Sequence, residues 1–261
     1  MNLDTYLKAA ERAAKKAGLM LIQNIRSNRE ISFKGEVDLV TNFDRQSQEI
    51  IRDSLLGDFP DHDIIAEEGL KKEKGSDFKW IVDPIDGTTN YVHGFPVFCI
   101  SIAVEKGGKT LVGLVFDPMR GELFAAKREG GASLNNKKIH VSCIEELDKS
   151  LLTTGFPYDI RESDMNNLDH FSNFAVRCQA IRRCGSAALD LCSVACGRAD
   201  GFWELKLSPW DTAAGALIVK EAGGCVTDFH NKRFDPGKKQ VLASNGKIHK
   251  QMLEVLKLGK I

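Results

Sequence analysis

Asp83 and Asp86 lie three residues apart in the stretch from Lys79 to Pro96, where a short apolar run, Trp80 to Val82, meets turn-forming residues. β-Branched and aromatic side chains predict a buried strand over that run, and Pro84 and Gly87 predict its end. Two carboxylates are therefore expected at a strand exit. Thr88, Thr89 and Asn90 follow as candidate caps of a short helix, whose free N–H groups and positive dipole end suit an anion. Acidic oxygens for a hard cation beside amides for a phosphate would make one site.

Other acids occupy comparable places. His62 to Ala66 reads as a short strand that runs straight into Glu67-Glu68-Gly69, and exits of buried strands are where α/β sheets place ligands. Asp211 falls in the first turn of a helix that follows Pro209, and Glu204 ends a strand predicted over Asp200 to Glu204. Asp44 falls in the first turn of a helix capped by Thr41 or Asn42. Each has a plainer reading: a solvated loop acid for the Glu67-Glu68 pair, and for Asp44 and Asp211 a charge at the favourable end of a helix dipole, about 0.3–1 kcal/mol each. What sets Glu67, Asp83, Asp86, Glu204 and Asp211 apart is that they stand at element ends, not on exposed helix faces.

The elements that must position these groups follow from periodicity. Apolar residues from Leu3 to Ile25 recur on one helical face, and Ile50, Ile51, Leu55 and Leu56 mark the inward side of the second helix. Glu30 to Asp38 reads as a polar loop and Lys71 to Asp77 as a charged one. Val97 to Lys127 reads as hairpins, which makes this part of the sheet antiparallel. Beyond a boundary near Ser142 to Lys149, strands and helices alternate. Residues 1–145 are expected to carry Glu67, Asp83 and Asp86, residues 146–261 to carry Glu204 and Asp211, and the site to lie between the two halves.

The 261 residues hold 36 Lys plus Arg and 36 Asp plus Glu, so no basic field argues for nucleic acid or an anionic membrane surface. No run approaches the roughly 18 apolar residues of a membrane span and no signal peptide opens the chain, which points to the cytoplasm. The 7 cysteines include no C-x-x-C pair and read as buried free thiols; Cys192 and Cys196 share a helix face without zinc-site partners.

Asp83-Pro-Ile-Asp-Gly-Thr-Thr-Asn, the upstream Glu67-Glu68, and Trp210-Asp-Thr-Ala-Ala-Gly through Glu221-Ala-Gly-Gly resemble the paired signatures of the inositol monophosphatase family in its bacterial branch. Val40-Thr-Asn-Phe-Asp, Phe116-Asp-Pro-Met-Arg, Thr154-Gly-Phe-Pro and Arg183-Cys-Gly-Ser-Ala-Ala-Leu-Asp extend the likeness over nearly the whole chain. The resemblance implies an α+β fold, a layered α-β-α-β-α sandwich with an antiparallel N-terminal sheet and a smaller mixed C-terminal sheet. It also implies a lithium-sensitive, Mg²⁺-dependent phosphomonoesterase, commonly a homodimer.

Carried over by motif position, Glu67, Asp83 and the Ile85 carbonyl would hold a first Mg²⁺, and Asp83, Asp86 and Asp211 a second. Glu67 would share in a looser third. Gly87 and Thr88 would offer N–H groups to phosphate, while Glu67 and the Thr88 hydroxyl would prepare a metal-activated water for direct attack, with Asp44 orienting Thr88. Asp86, Gly185, Ser186, Ala187 and Glu204 match substrate-contacting positions; Lys34 and Arg183 are weaker candidates. The expected substrate is myo-inositol monophosphate, with fructose 1,6-bisphosphate, adenosine 3′,5′-bisphosphate and histidinol phosphate as alternatives. A haloacid-dehalogenase-type phosphatase fits less well, because its acids stand two apart, and a non-catalytic binding protein has no use for five convergent carboxylates.

Overall fold

The computed structural model describes residues 2–27, 31–33 and 39–259. In chain order the elements begin with α1 (Leu3–Asn24), β1 (Ile31–Phe33), β2 (Leu39–Thr41), α2 (Asn42–Asp58), β3 (Asp63–Ala66), β4 (Lys71–Lys72), β5 (Phe78–Asp86) and α3 (Thr88–His93). The hairpin region is β6 (Cys99–Lys106), β7 (Lys109–Asp117), β8 (Glu122–Lys127), β9 (Ala132–Leu134) and β10 (Lys137–Lys138). Then come β11 (Leu151–Thr154), α4 (Leu168–Ala175), β12 (Ala180–Arg182), α5 (Ala187–Ala195), β13 (Gly201–Leu205), α6 (Pro209–Glu221), β14 (Cys225–Thr227), β15 (Gln240–Ser244) and α7 (His249–Leu256).

These elements stack in five layers. An eight-stranded sheet, in the order β10-β9-β8-β7-β6-β5-β3-β4, is covered on one face by α1 and α2. Alanines at 9, 10, 13, 14 and 17 of α1 are all buried there, and small side chains let a helix lie close to its neighbours. On the other face lie α5 and α6, which separate it from a five-stranded sheet, β12-β11-β13-β15-β14. Phe174 of α4 and Met252, Leu253 and Leu256 of α7 pack on Trp203 and Leu242 of that second sheet and close the stack. The α-β-α-β-α order expected from the family likeness is the one observed, with a mixed second sheet.

The differences from expectation are local. The first sheet is not wholly antiparallel, because β3 and β5 pair in parallel. The strand holding Asp83 does not stop at Pro84; it runs on to Asp86 through an irregularity. Lys71 and Lys72 form a short edge strand where a loop was expected. Lys34 and most of the polar loop around it lie outside the described residues. Of the cysteines, Cys99 and Cys192 are buried and Cys143 is exposed. No helix among the described residues is long and apolar enough to cross a membrane.

Two positions translate this packing into measurable stability. A Cβ on Gly113 of β7 would meet the Ala214 backbone of α6 at 2.7–3.2 Å, and backbone cannot swing aside as a side chain can. Gly113→Ala should therefore destabilise the protein by about 1–3 kcal/mol through overpacking, whereas Gly57→Ala, with nothing within 4 Å, should leave chemical denaturation unchanged or shift it slightly upward.

His249 is held by Thr227 Oγ1 at 3.0 Å and Ser244 Oγ at 2.9 Å, and burial pushes its pKa from 6.5 to about 4. A histidine shifted downward contributes stability above its unfolded pKa and loses it as pH falls through the folded one. Thermal unfolding measured between pH 6.5 and pH 4 should accordingly show a shallower loss for His249→Gln than for the wild type.

Candidate active site

Parallel pairing brings the first two acids together. The register Ile65↔Ile81, Ala66↔Val82 carries the chain one step further to set Glu67 opposite Asp83, both at the same end of the sheet. Asp83 and Asp86 would project to opposite faces of a regular strand, since their spacing is odd. On β5, however, three steps from Asp83 to Asp86 oppose two steps on β6, from Ser101 to Cys99. This extra residue is a bulge; it absorbs Pro84, which needs no ladder donor, and turns both carboxylates into one cavity.

The cavity measures about 430 Å³. Its walls include Glu67, Asp83, Ile85, Asp86, Gly87 and Thr88 from the first sheet and α3, Arg183, Gly185, Ser186, Ala187 and Asp190 around the start of α5, and Glu204 and Asp211 from β13 and α6. The structure thus gathers every described candidate around one space except Asp44. That residue is fully buried behind Thr88, whose hydroxyl donates to Asp44 Oδ1 at 2.8 Å and to the Ile85 carbonyl at 3.0 Å.

Four of these acids are each fixed by a backbone donor. Asp44 Oδ2 accepts from Thr41 N at 2.7 Å and Asp211 Oδ2 from Ser208 N at 2.7 Å, both in capping boxes at helix starts. Asp83 Oδ1 accepts from Ile85 N at 3.0 Å. Asp86 Oδ2 accepts from Ala188 N at 2.7 Å and Ser186 Oγ at 2.6 Å, which ties β5 to the start of α5. Asp44 and Asp211 thus stand in the first turns expected of them, and the capping bond from the backbone occupies only one oxygen of each.

The turn after Asp86 corrects one expectation. Neither Thr88, Thr89 nor Asn90 caps α3; Gly87 does, with φ 96°, and no side chain bonds there. A Cβ at Gly87 would come within 3.0 Å of the Gly185 and Val97 carbonyls, so only glycine fits this turn on both counts. Asn90 instead donates to the Val97 carbonyl at 2.7 Å and the Cys184 carbonyl at 2.8 Å, binding the α3 turn to the loop before α5.

Four contributors escaped the sequence reading. Ser47 donates to the Pro84 carbonyl at 2.9 Å, and the Gln48 side chain accepts from Glu68 N at 3.1 Å. With Asp44 they form a buried polar stripe at i, i+3 and i+4 on α2, a spacing that could have been noticed. Asp190 is 2% exposed and faces the cavity; its signal was a lone carboxylate in the otherwise apolar run Ala187 to Ala195. Gly155 lies against Glu204, which the sequence does not disclose.

The electrostatics of the site are those of compressed negative charge. Burial pushes the Asp83 pKa well above the usual carboxylate range, and the charges of Glu67, Asp86 and Asp211 push it further. Burial and then Asp86 raise Asp211, while its bond from Ser208 opposes. Burial likewise raises Asp86, against its bonds from Ser186 and Ala188. Glu204 and Asp190 are raised mainly by burial, with Arg183 the opposing positive charge for both.

Among the described residues no three of the acidic, histidine or cysteine side chains form a ready-made metal cage. The donor set is nonetheless hard oxygen throughout, and mutual repulsion of this kind is relieved by a cation. It fits Mg²⁺, which takes few carboxylates and keeps several waters, better than it fits a metal needing a closed protein cage.

A sequence model of the inositol monophosphatase family matches residues 2–258. The inositol-1-monophosphatase of Synechocystis sp. is 44% identical over 257 residues, covering 98% of this chain and 90% of that one. The Escherichia coli protein named Nus factor SuhB is 43% identical over 253 residues, covering 95% and 94%. The structure of inositol monophosphatase from Anabaena (Nostoc) sp. superposes with a TM-score of 0.90 at 40% identity, covering 98% of this chain and 96% of its own. On this agreement of sequence and layered architecture, the chain belongs to the inositol monophosphatase family.

Proposed function

We propose that the protein is a Mg²⁺-dependent phosphomonoesterase that hydrolyses myo-inositol monophosphate and related polyol phosphates to the alcohol and inorganic phosphate. The observation that carries this reading is the set of carboxylates Asp83, Asp86 and Asp211 with Glu67 around one cavity, where the charges of Glu67, Asp86 and Asp211 add to burial in raising the proton affinity of Asp83. Family membership and the 44%-identical inositol-1-monophosphatase support the reaction class.

Glu67, Asp83 and the Ile85 carbonyl would hold one Mg²⁺, and Asp83, Asp86 and Asp211 a second, with Glu67 shared by a third. Bound there, Mg²⁺ would neutralise phosphate charge, lower the pKa of a coordinated water and stabilise the departing alkoxide. The chain's own groups do the rest. Because the Thr88 proton is directed at Asp44 and the Ile85 carbonyl, the Thr88 oxygen keeps lone pairs that can accept a hydrogen bond from an attacking water, and Glu67, which lines the same cavity, would receive the proton that this water gives up.

Backbone N–H groups at Gly87 and Thr88 would meet the phosphate oxygens. On the alcohol side, Glu204 accepts from a hydroxyl, and Ser186 and Asp86 are already joined by a hydrogen bond that fixes the adjoining wall. Arg183 offsets the charge of Glu204 and Asp190 at the cavity edge.

The name Nus factor on a 43%-identical relative favours a second reading, a binding protein on the same fold. A homodimer and residence in the cytoplasm remain part of the proposal.

Phosphate release from inositol 1-phosphate, fructose 1,6-bisphosphate, adenosine 3′,5′-bisphosphate and histidinol phosphate, compared with Mg²⁺ and with chelator, tests the function. Inositol 1-phosphate should be the preferred substrate, with activity lost in chelator, in Asp83→Asn and in Asp211→Asn. No hydrolysis of any ester with Mg²⁺ present would favour the binding protein. A second readout is independent of turnover: Mg²⁺ should raise the unfolding temperature of the wild type and leave that of Asp83→Asn unmoved. In chelator, Asp83→Asn should unfold no lower than the wild type, because it removes one member of a repelling group.

A further inference from the structure

Glu204 sits in the cavity wall with no room behind it. The parallel register of β11 and β13 pairs Thr154 with Trp203, so the next residues, Gly155 and Glu204, also come opposite each other. A Cβ built on Gly155 would lie closer than 3.0 Å to the Glu204 Cδ and to both its carboxylate oxygens. Gly155 is not among the glycines with a left-handed backbone, so what excludes a side chain here is space alone. The carboxylate therefore rests directly on a main-chain surface.

That surface is itself held. Asn167 Nδ2 donates to the Gly155 carbonyl at 2.7 Å and to Thr154 Oγ1 at 2.9 Å. Asn167 Oδ1 accepts from Trp203 Nε1 at 2.8 Å, and Thr154 Oγ1 donates to the Trp203 carbonyl at 2.6 Å. Asn167 is 3% exposed and has φ 72°, and although it stands at the N-cap position of α4 its side chain caps nothing there. A left-handed, buried asparagine that forgoes its cap is committed to another task. The bonds form a circuit from Trp203 through Asn167 to Gly155, and Gly155 backs the Glu204 that follows Trp203 in the chain.

We propose that Gly155, fixed by Asn167, is the stop that sets the position of the Glu204 carboxylate and thereby the preference of the cavity for esters whose alcohol carries further hydroxyls. The proposal rests on the reading of Glu204 as a hydroxyl acceptor. Gly155 and Asn167 act through Glu204 and are positioning residues. The side of the site that holds phosphate does not depend on them, so their loss should change which alcohol is accepted more than whether phosphate is released.

The test is the ratio of kcat/KM for inositol 1-phosphate to that for phenyl phosphate, whose leaving group bears no further hydroxyl, measured with Mg²⁺ on the full chain. Wild type is compared with Glu204→Ala, Gly155→Ala, Asn167→Gly and the double variant Gly155→Ala/Glu204→Ala. Asn167→Gly tolerates the left-handed backbone and deletes only the amide, so it decides the matter if Gly155→Ala does not fold. Gly155→Ala and Asn167→Gly should each lower the ratio by about tenfold, the loss of one hydrogen bond to a charged group. The double variant should match Glu204→Ala alone, because removing the carboxylate removes the clash.

A ratio unchanged in Glu204→Ala overturns the reading of Glu204 on which the proposal stands. A ratio lowered in Glu204→Ala but kept in both Gly155→Ala and Asn167→Gly overturns the proposal itself. Equal losses on both substrates, as general damage to the fold would give, or a Gly155→Ala effect that persists in the double variant, overturn it as well.

Discussion

Repulsion among buried carboxylates is the constraint around which this molecule is arranged. Asp83 is 1% exposed, and its acidic neighbours all oppose its ionisation. Left to relax, such side chains would rotate away from one another into solvent. They are prevented by main-chain donors: Ile85 N for Asp83, Ala188 N for Asp86, Ser208 N for Asp211 and, one layer back, Thr41 N for Asp44. A backbone amide cannot change rotamer, so each carboxylate is as rigid as the element that supplies its donor. The fold stores electrostatic strain at the place where a bound cation would relieve it.

Helix α2 shows how the surroundings serve that arrangement. Ile51 and Leu55 bury the far end of its inner face. One or two turns earlier the same face carries Asp44, Ser47 and Gln48, which bond to Thr88, to the Pro84 carbonyl and to the backbone of Glu68. Two segments that lead into the cavity, the stretch from β5 to α3 and the turn after β3, are thus referred to one helix. A buried polar stripe of this kind is tolerated because its side chains find partners at normal hydrogen-bond distances.

Much of this was legible in the sequence for a physical reason: acids at element ends leave a local mark, since the strand or helix that delivers them is coded by residues within a few positions. Asp83, Asp86 and Asp211 could be placed in that way, and the α-β-α-β-α layering followed from several motifs in family order. What was not legible depends on partners distant in the chain. Pro84 read as the end of a strand because a bulge is defined by the opposing strand, here β6. Asn90 read as a helix cap because its true acceptors, Val97 and Cys184, lie 7 and 94 residues away. Gly155 entered only as part of the Thr154-Gly-Phe-Pro motif, and nothing near it in sequence announces Glu204.

Helix α6 is apolar around its whole circumference, with every residue from Thr212 to Val219 buried. One side packs on β5, β6, β7 and β8, meeting the Gly113 backbone directly, and another on β14 and β15. A rod embedded in this way leaves no hinge plane along which the two sheets could part, and sliding it would drag Asp211 with it. Moving one sheet against the other as a rigid body would therefore have to break the packing of α6 on both. The loops at the rim are free of that constraint: the segment from Phe156 to Asp159 lines the cavity, and its rearrangement need not disturb the sheets.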